Sequence, residues 1–238
     1  MSLSNIQKLY NLKLPKFTNK LLLGVDEVAR GCFVGPVVSA CVVLNIPYLH
    51  SLSKEQLKNI PLIADSKKLK PIQRQKAEQW IKNKGCLAYG IGIGSVEEID
   101  NFNIREANFL AMNRAILNCL KELSINNTID HNNINLLIDG NDFKIQSEYE
   151  NELKDIPWNT LIKGDSKDLT IACASIIAKE WRDRYINNLV IQNKNLKVYN
   201  WHKNKGYGTK EHQKLILQHG ITSYHRLSFL NKLLGNNK

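Results

Sequence analysis

The sequence predicts a mixed α/β domain with a helical C-terminal extension. Three observations predict it: short apolar runs of strand character recur along the chain, helically spaced segments separate several of them, and no internal repeat or low-complexity linker breaks the pattern. At 238 residues the chain can bury a full core without disulfides.

The elements follow in order. A first strand is predicted over residues 21–26 and a second over Val37–Leu44, both apolar, with a polar centre between them. The loop Ala64-Asp65-Ser66-Lys67-Lys68-Leu69 follows. Pro71 then stands at a first helical turn, which has no use for its missing N–H, and a helix is expected from there to Lys84. Residues 86–94 alternate small and apolar side chains and end in glycine, as a strand does. From Ile104 to Leu123, Ala107, Leu110, Ala111, Ala115 and Leu117 fall at helical spacing. Short strands at 135–138 and 160–163 deliver Asp139-Gly140 and Gly164-Asp165, and a long helix is expected over 167–192. The tail from Tyr199 holds a glycine-containing loop, a helix near Lys210–His219 and a Tyr-His-Arg stretch. The division expected is an N-terminal extension over 1–20, whose order the sequence leaves open, a catalytic domain over 21–195 and the extension over 196–238.

Composition narrows the partners. Lysine and arginine total 33 against 22 acids, a formal charge of +11, which favours an anionic polymer whose counterions a basic face releases. The abundance of Asn, Lys and Ile is also what an A/T-rich coding sequence produces, so charge supports nucleic acid without establishing it. The five cysteines show no CxxC or Cys-His spacing and read as reduced, mostly buried thiols of a cytoplasmic protein rather than a zinc site or disulfide framework. Neither a signal peptide nor a membrane span is expected.

The chemistry is expected at the strand ends. Neighbouring side chains on a strand face opposite ways, so Asp26 and Glu27 cannot both lie in the core. Three strands end in an acid, at Asp26 with Glu27, at Asp139 and at Asp165. Gathered at one sheet end, these carboxylates need a counter-charge, and hard oxygen ligands without His or Cys suit Mg²⁺ or Mn²⁺. Phosphodiester hydrolysis by two metal ions is the chemistry that needs such a site.

With these residues in view, the chain resembles the type 2 ribonucleases H, ribonuclease HII. Gly24-Val25-Asp26-Glu27-Val28-Ala29-Arg30-Gly31 with Gly35-Pro36 resembles the family's opening signature. Asp65 to Leu69 matches its Asp-Ser-Lys-Lys-Leu loop, Ile99 to Ile104 with Ala111-Met112 its Ile-Asp-x-x-Asn-Ile segment, and Asp139-Gly140 and Lys163-Gly164-Asp165 its later acids. Ala174 to Asp183, then Lys205-Gly206-Tyr207-Gly208-Thr209 and His225-Arg226, complete an ordered set. The resemblance implies a ribonuclease H-like mixed sheet flanked by helices, and endonucleolytic cleavage of RNA in RNA–DNA hybrids and at ribonucleotides embedded in duplex DNA, leaving 5′-phosphate and 3′-hydroxyl ends. It implies two Mn²⁺ or Mg²⁺ ions on Asp26, Glu27, Asp139 and Asp165, substrate contacts at Ala29, Arg30, Gly31, Ser66, Lys67, Ser175, Lys179 and Tyr207, and a monomer acting in primer removal and ribonucleotide repair. Only residues 1–20 precede the first strand, too few for the extra N-terminal domain of ribonuclease HIII.

One departure falls in the recognition element, where Ala29 replaces the family's first glycine. A positive φ there would cost alanine about 1 kcal/mol. Other residues keep two readings. Asp65 is a turn former or a site residue; Lys179 and Arg182 face solvent or substrate; Ser175 packs or contacts; Tyr207 packs on the core or, freed by its flanking glycines, meets a sugar; His225-Arg226 pins the core or binds phosphate. His212 and His219 read as surface residues of one helix, Asp168 as a helix-start charge and Asp183 as an ion-pair partner. A different two-metal nuclease and a silent hybrid-binding protein are the competing functions.

Overall fold

The computed structural model describes residues 20–126 and 133–235. The extension over 1–20 lies, but for Lys20, outside them.

Five strands form one sheet in the order β3-β2-β1-β4-β5, with β1 Leu21–Val28, β2 Val37–Leu44, β3 Cys86–Gly94, β4 Ile134–Asp139 and β5 Trp158–Leu161. The first three run antiparallel to their neighbours, while β1, β4 and β5 are parallel. This is the mixed sheet the sequence implied. Every residue of β2 is buried, which explains its unbroken apolar run, since a strand covered on both faces has no solvent side to mark with polar residues.

The helices among the described residues are α1 Ile46–Ser51, α2 Lys54–Lys58, α3 Pro71–Trp80, α4 Val96–Asn126, α5 Glu150–Leu153, α6 Leu169–Gln192, α7 Trp201–Asn204, α8 Lys210–His219 and α9 Leu227–Leu230. On one face α4 packs with Met112 and Ile116 against Leu23, Val25, Leu136 and Ile138. On the other, Ile176 and Ile177 of α6 meet Val38, Ala40 and Val42. Both helices come unusually close. Any β-carbon at Gly90, Gly92 or Gly94 would strike the backbone of α4 near Ala107, Ala111 and Ala115, and one at Gly24 would strike α6 at Thr170 and Ile171. The small residues of these strands are what bring the layers together.

Several boundaries differ from expectation for local reasons. Strand β1 continues to Val28 because β2 still offers a partner, Val38, so the two acids lie within the strand. Helix α4 begins well before Ile104 but breaks at Asn103 (φ +73°), whose side chain accepts the N–H groups of Arg105 and Glu106 and starts the segment that the periodicity predicted. After Trp80 the third helix loosens into a π turn, Ile81–Gly85. The short helices α1 and α2 were not expected.

The tail folds back as a third cluster around Val34, Ile186, Tyr199, Trp201 and Ile216. Isolated bridges join Cys32 to Tyr207 and Val34 to His225. Arg226 is fully buried and donates to the carbonyls of Gly35 and Arg30, and Arg182, equally buried, donates to those of Val34 and Lys205. Both arginines therefore pin the turn between β1 and β2. All five cysteines are free thiols, four of them buried, and no helix among the described residues is long and apolar enough to cross a membrane.

Candidate active site

The parallel pairing of β1 and β4 sets Val25 opposite Ile138, so the next residues, Asp26 and Asp139, are neighbours at the strand ends. Asp165 arrives on a single 3₁₀ turn after β5. Asp139 Oδ1 accepts the N–H of Gly164 at 2.6 Å, which ties the fourth strand's end to the turn carrying Asp165. Asp26 is 4% exposed and sits on the α6 side, near the Ser175 hydroxyl, which favours its charged form. Glu27 faces the other way and meets Arg30 at 3.2 Å.

These acids oppose one another. The Asp26 carboxyl is pushed well above its ordinary range by burial, then by the charges of Glu27 and Asp139, with Asp165 adding to them and the Ser175 hydroxyl opposing. Glu27 is raised by burial and by Asp139, against Arg30 and Lys67. Burial raises Asp165 too, with Asp65 and Asp139 behind it. Such a cluster is stable only with a positive partner or a shared proton.

The donor set fits a hard divalent cation. All its atoms are carboxylate oxygens, and Glu27 Oε2 is buried without a hydrogen-bond partner. In their present rotamers, no three acidic, histidine or cysteine side chains among the described residues close tightly enough to hold an ion. Glu27 Oε1 and Asp139 Oδ1 are turned onto Arg30 and the Gly164 amide instead.

Beside the acids, residues 29–31 form a turn whose first residue, Ala29, has φ +70°. The strain anticipated for alanine is therefore present. Arg30 extends into solvent and a β-carbon at Gly31 would meet nothing, so this turn is open. Tyr207 is 38% exposed and lies against Cys32, with Lys179 Nζ 5.8 Å from its ring centre. Burial, with Cys32 adding, raises its hydroxyl to about 12, so it stays protonated and able to donate. The glycines around it have a different origin from the one expected: a β-carbon at Gly208 would strike the Phe33 ring, and Gly206 has φ +77° against Val34. They seat the loop on the turn.

Comparisons with known proteins show the family and the fold. Residues 23–232 match the profile of the ribonuclease HII family. Ribonuclease HII of Bacteroides thetaiotaomicron is 43% identical over 222 residues, 92% of this chain and 94% of that protein. The chain belongs to the ribonuclease HII family. Ribonuclease H2 from Pyrococcus horikoshii OT3 shares the fold at a TM-score of 0.62 and 23% identity, over 90% of this chain and 96% of that one. So does Bst-RNase HIII in complex with Mn²⁺, at a TM-score of 0.62 and 17% identity, over 92% and 71%. This protein is a ribonuclease H enzyme.

The other predicted contacts divide. Lys67 is exposed at the acid cluster, whereas Ser66 and Ser175 are buried and hydrogen-bonded to each other at 2.8 Å. Lys179 does not face bulk solvent; its side chain is 14% exposed and bonded to Asp183, which is thus an ion-pair partner as expected. Asp168 caps α6 through the N–H groups of Thr170 and Ile171. Asp65 turns its loop, accepting Lys67 N–H, and also stands close enough to raise Asp165.

Two residues escaped the sequence reading. Arg74 binds the carbonyls of Ser66 and Leu69 and so fixes the Asp65–Leu69 loop. His212, expected at the surface, is fully buried; Trp201 Nε1 donates to its Nε2, and its Nδ1–H donates to the Tyr207 carbonyl at 2.9 Å. One histidine on an amphipathic helix carries no signal for that role, while His219 on the same helix is exposed as expected.

Proposed function

We propose that this enzyme cleaves the RNA strand of RNA–DNA hybrids endonucleolytically and incises duplex DNA at embedded ribonucleotides, leaving 5′-phosphate and 3′-hydroxyl ends. Asp26, Glu27, Asp139 and Asp165 would hold two divalent cations, Mn²⁺ or Mg²⁺. The observation that carries this reading is the buried, unpartnered Glu27 Oε2 beside three further acids, of which Asp26 and Asp165 have their proton affinity raised by burial and by neighbouring carboxylates. The Mn²⁺ bound by a fold relative supports the choice of ion. When bound, such ions supply a lowered water pKa and a counter-charge for phosphate.

The chain's own residues do the rest. Ser175, hydrogen-bonded to Ser66, favours the charged form of Asp26. Arg30, Lys67 and Lys179 offer positive charge to phosphates along the cleft. The backbone of residues 29–31 and the Tyr207 hydroxyl are set to meet a ribose 2′-hydroxyl, the group by which RNA is told from DNA. The protein works as a cytoplasmic monomer in RNA primer removal and ribonucleotide excision repair, with residues 196–238 as a substrate-binding extension.

The test is a duplex carrying an RNA stretch or one ribonucleotide, incubated with and without chelator, with Asp139→Asn as control. Cleavage at ribose that chelator and the variant both abolish is expected. Cutting of an all-DNA duplex, or binding without cleavage by the wild-type protein in Mn²⁺, overturns the proposal.

A further inference from the structure

Three side chains on α6, Ser175, Lys179 and Asp183, fall at four-residue spacing and so share one face, about 5.4 Å apart per turn. The row begins beside the acid centre, where Ser175 is hydrogen-bonded to Ser66 at 2.8 Å and favours the charged form of Asp26. It passes Tyr207, whose ring lies 5.8 Å from Lys179 Nζ. It ends at Asp183, a carboxylate 8% exposed.

Asp183 divides its two oxygens. Oδ1 accepts Lys179 Nζ at 2.8 Å, and Oδ2 accepts Arg74 at 3.3 Å. Arg74 cannot shift easily, because its Nε binds Glu180 at 2.7 Å and its other amine binds the Leu69 carbonyl at 2.9 Å. The carboxylate is thus fixed from behind while it holds the ammonium in front. An ammonium has three donors, and this pairing uses one. A free lysine loses much rotamer freedom when it grips a phosphate; this one has lost it beforehand.

We propose that Asp183 is a positioning residue that presents the Lys179 ammonium to a nucleic-acid phosphate between the acid cluster and Tyr207. This rests on the hybrid-cleaving function proposed above. Electrostatics alone makes the opposite forecast. Asp183 stands among Arg74, Lys179, Arg182 and Lys205, so removing its charge should tighten phosphate binding if it acts only through the field. The sign of the effect decides.

The experiment measures binding of a labelled RNA–DNA hybrid by fluorescence anisotropy in EDTA, at several salt concentrations, with cleavage in Mn²⁺ followed separately. Asp183→Asn keeps the shape and an oxygen for Arg74. It should weaken binding by about 3- to 10-fold and reduce the salt slope by about one. Lys179→Met should do the same, the double variant should be no worse than Lys179→Met, and Asp183→Glu should recover part of the loss. Equal or tighter binding by Asp183→Asn, or losses that add in the double variant, overturn the proposal. Thermal melts accompany each variant; if Asp183→Asn unfolds early, Lys179→Met decides, since a purely structural pair would lower its melting temperature and leave affinity unchanged. Hybrid bound normally but left uncut by the wild type in Mn²⁺ overturns the nuclease function alone, and no binding at all overturns both.

Discussion

The acid end of the sheet and the aromatic cluster of the tail are both buried and both rich in titratable groups, yet they are built in opposite ways. In the tail, Trp201, His212 and the Tyr207 carbonyl form a chain of neutral hydrogen bonds, and the Tyr199 hydroxyl binds the carbonyl of Gly220. His225 packs its ring against Tyr199 and Trp201 with centroids 5.2 and 5.4 Å away. At the sheet end, acids of one sign are placed side by side; each region leaves a buried atom without a partner, but in the tail it is a neutral ring nitrogen, His225 Nε2, and at the sheet end a carboxylate oxygen, Glu27 Oε2. A neutral ring bears burial at modest cost even with one nitrogen unpaired, whereas like charges side by side cannot all stay ionised. Buried titratable groups therefore point to a candidate site where they crowd charges of one sign together, and to a scaffold where they stay neutral.

The largest test of that contrast is Asp26→Asn. It should lower cleavage of a hybrid by at least about 10³-fold, while melting temperature holds or rises by roughly 2–4 °C, because a buried like-charge repulsion disappears. A variant that loses activity by unfolding would refute the assignment of frustration to this end.

Trp201→Ala should act the other way. Removing this fully buried ring should cost about 3–5 kcal/mol by denaturant titration, and the remaining folded enzyme should keep kcat but bind its duplex more weakly, since His212 would no longer be held beneath Tyr207.

The tail also has a pH dependence. Burial, then the neighbouring His212, lowers His225 from an ordinary 6.5 to about 4. The unfolded chain therefore takes up a proton before the folded one, so stability is whole above pH 6.5 and drains as pH falls toward 4, by roughly 3 kcal/mol. Burial lowers His212 as well, which adds in the same direction. Melts between pH 4 and 8 should show this fall, and His225→Gln should flatten it.

The smallest effect is expected at Ala29→Gly. Relief of the positive φ, about 1 kcal/mol, is nearly offset by the greater chain entropy of glycine, so melting should change little. Cleavage at a lone ribonucleotide should nevertheless improve by about 2- to 5-fold as the turn relaxes; equal or poorer rates would show that the strain has no bearing on recognition.

Residues 86–94 and Lys210–His219 were legible almost to the residue, because alternation, helical spacing and a terminal glycine are local signals. The acids were legible because each follows a short apolar run, although Asp26 and Glu27 lie within β1 and Asp165 on the turn after β5. The early start of α4 and the short helices after β2 were not, since caps such as Ser95 and Ser53 act over single turns too brief for a period to show.

What the sequence determined by itself was therefore the set of strands, the long helices and the identity of the acids they deliver. Tertiary structure alone decided which residues serve those acids. Arg74 lies far along the chain from Glu180 and Asp183, Ser66 from Ser175, and the Tyr207 carbonyl depends on a histidine one helical turn away that is buried by tryptophan. Hydrogen bonds between distant segments depend on where packed layers bring backbone and side chain together, and no periodicity in one segment encodes the position of another.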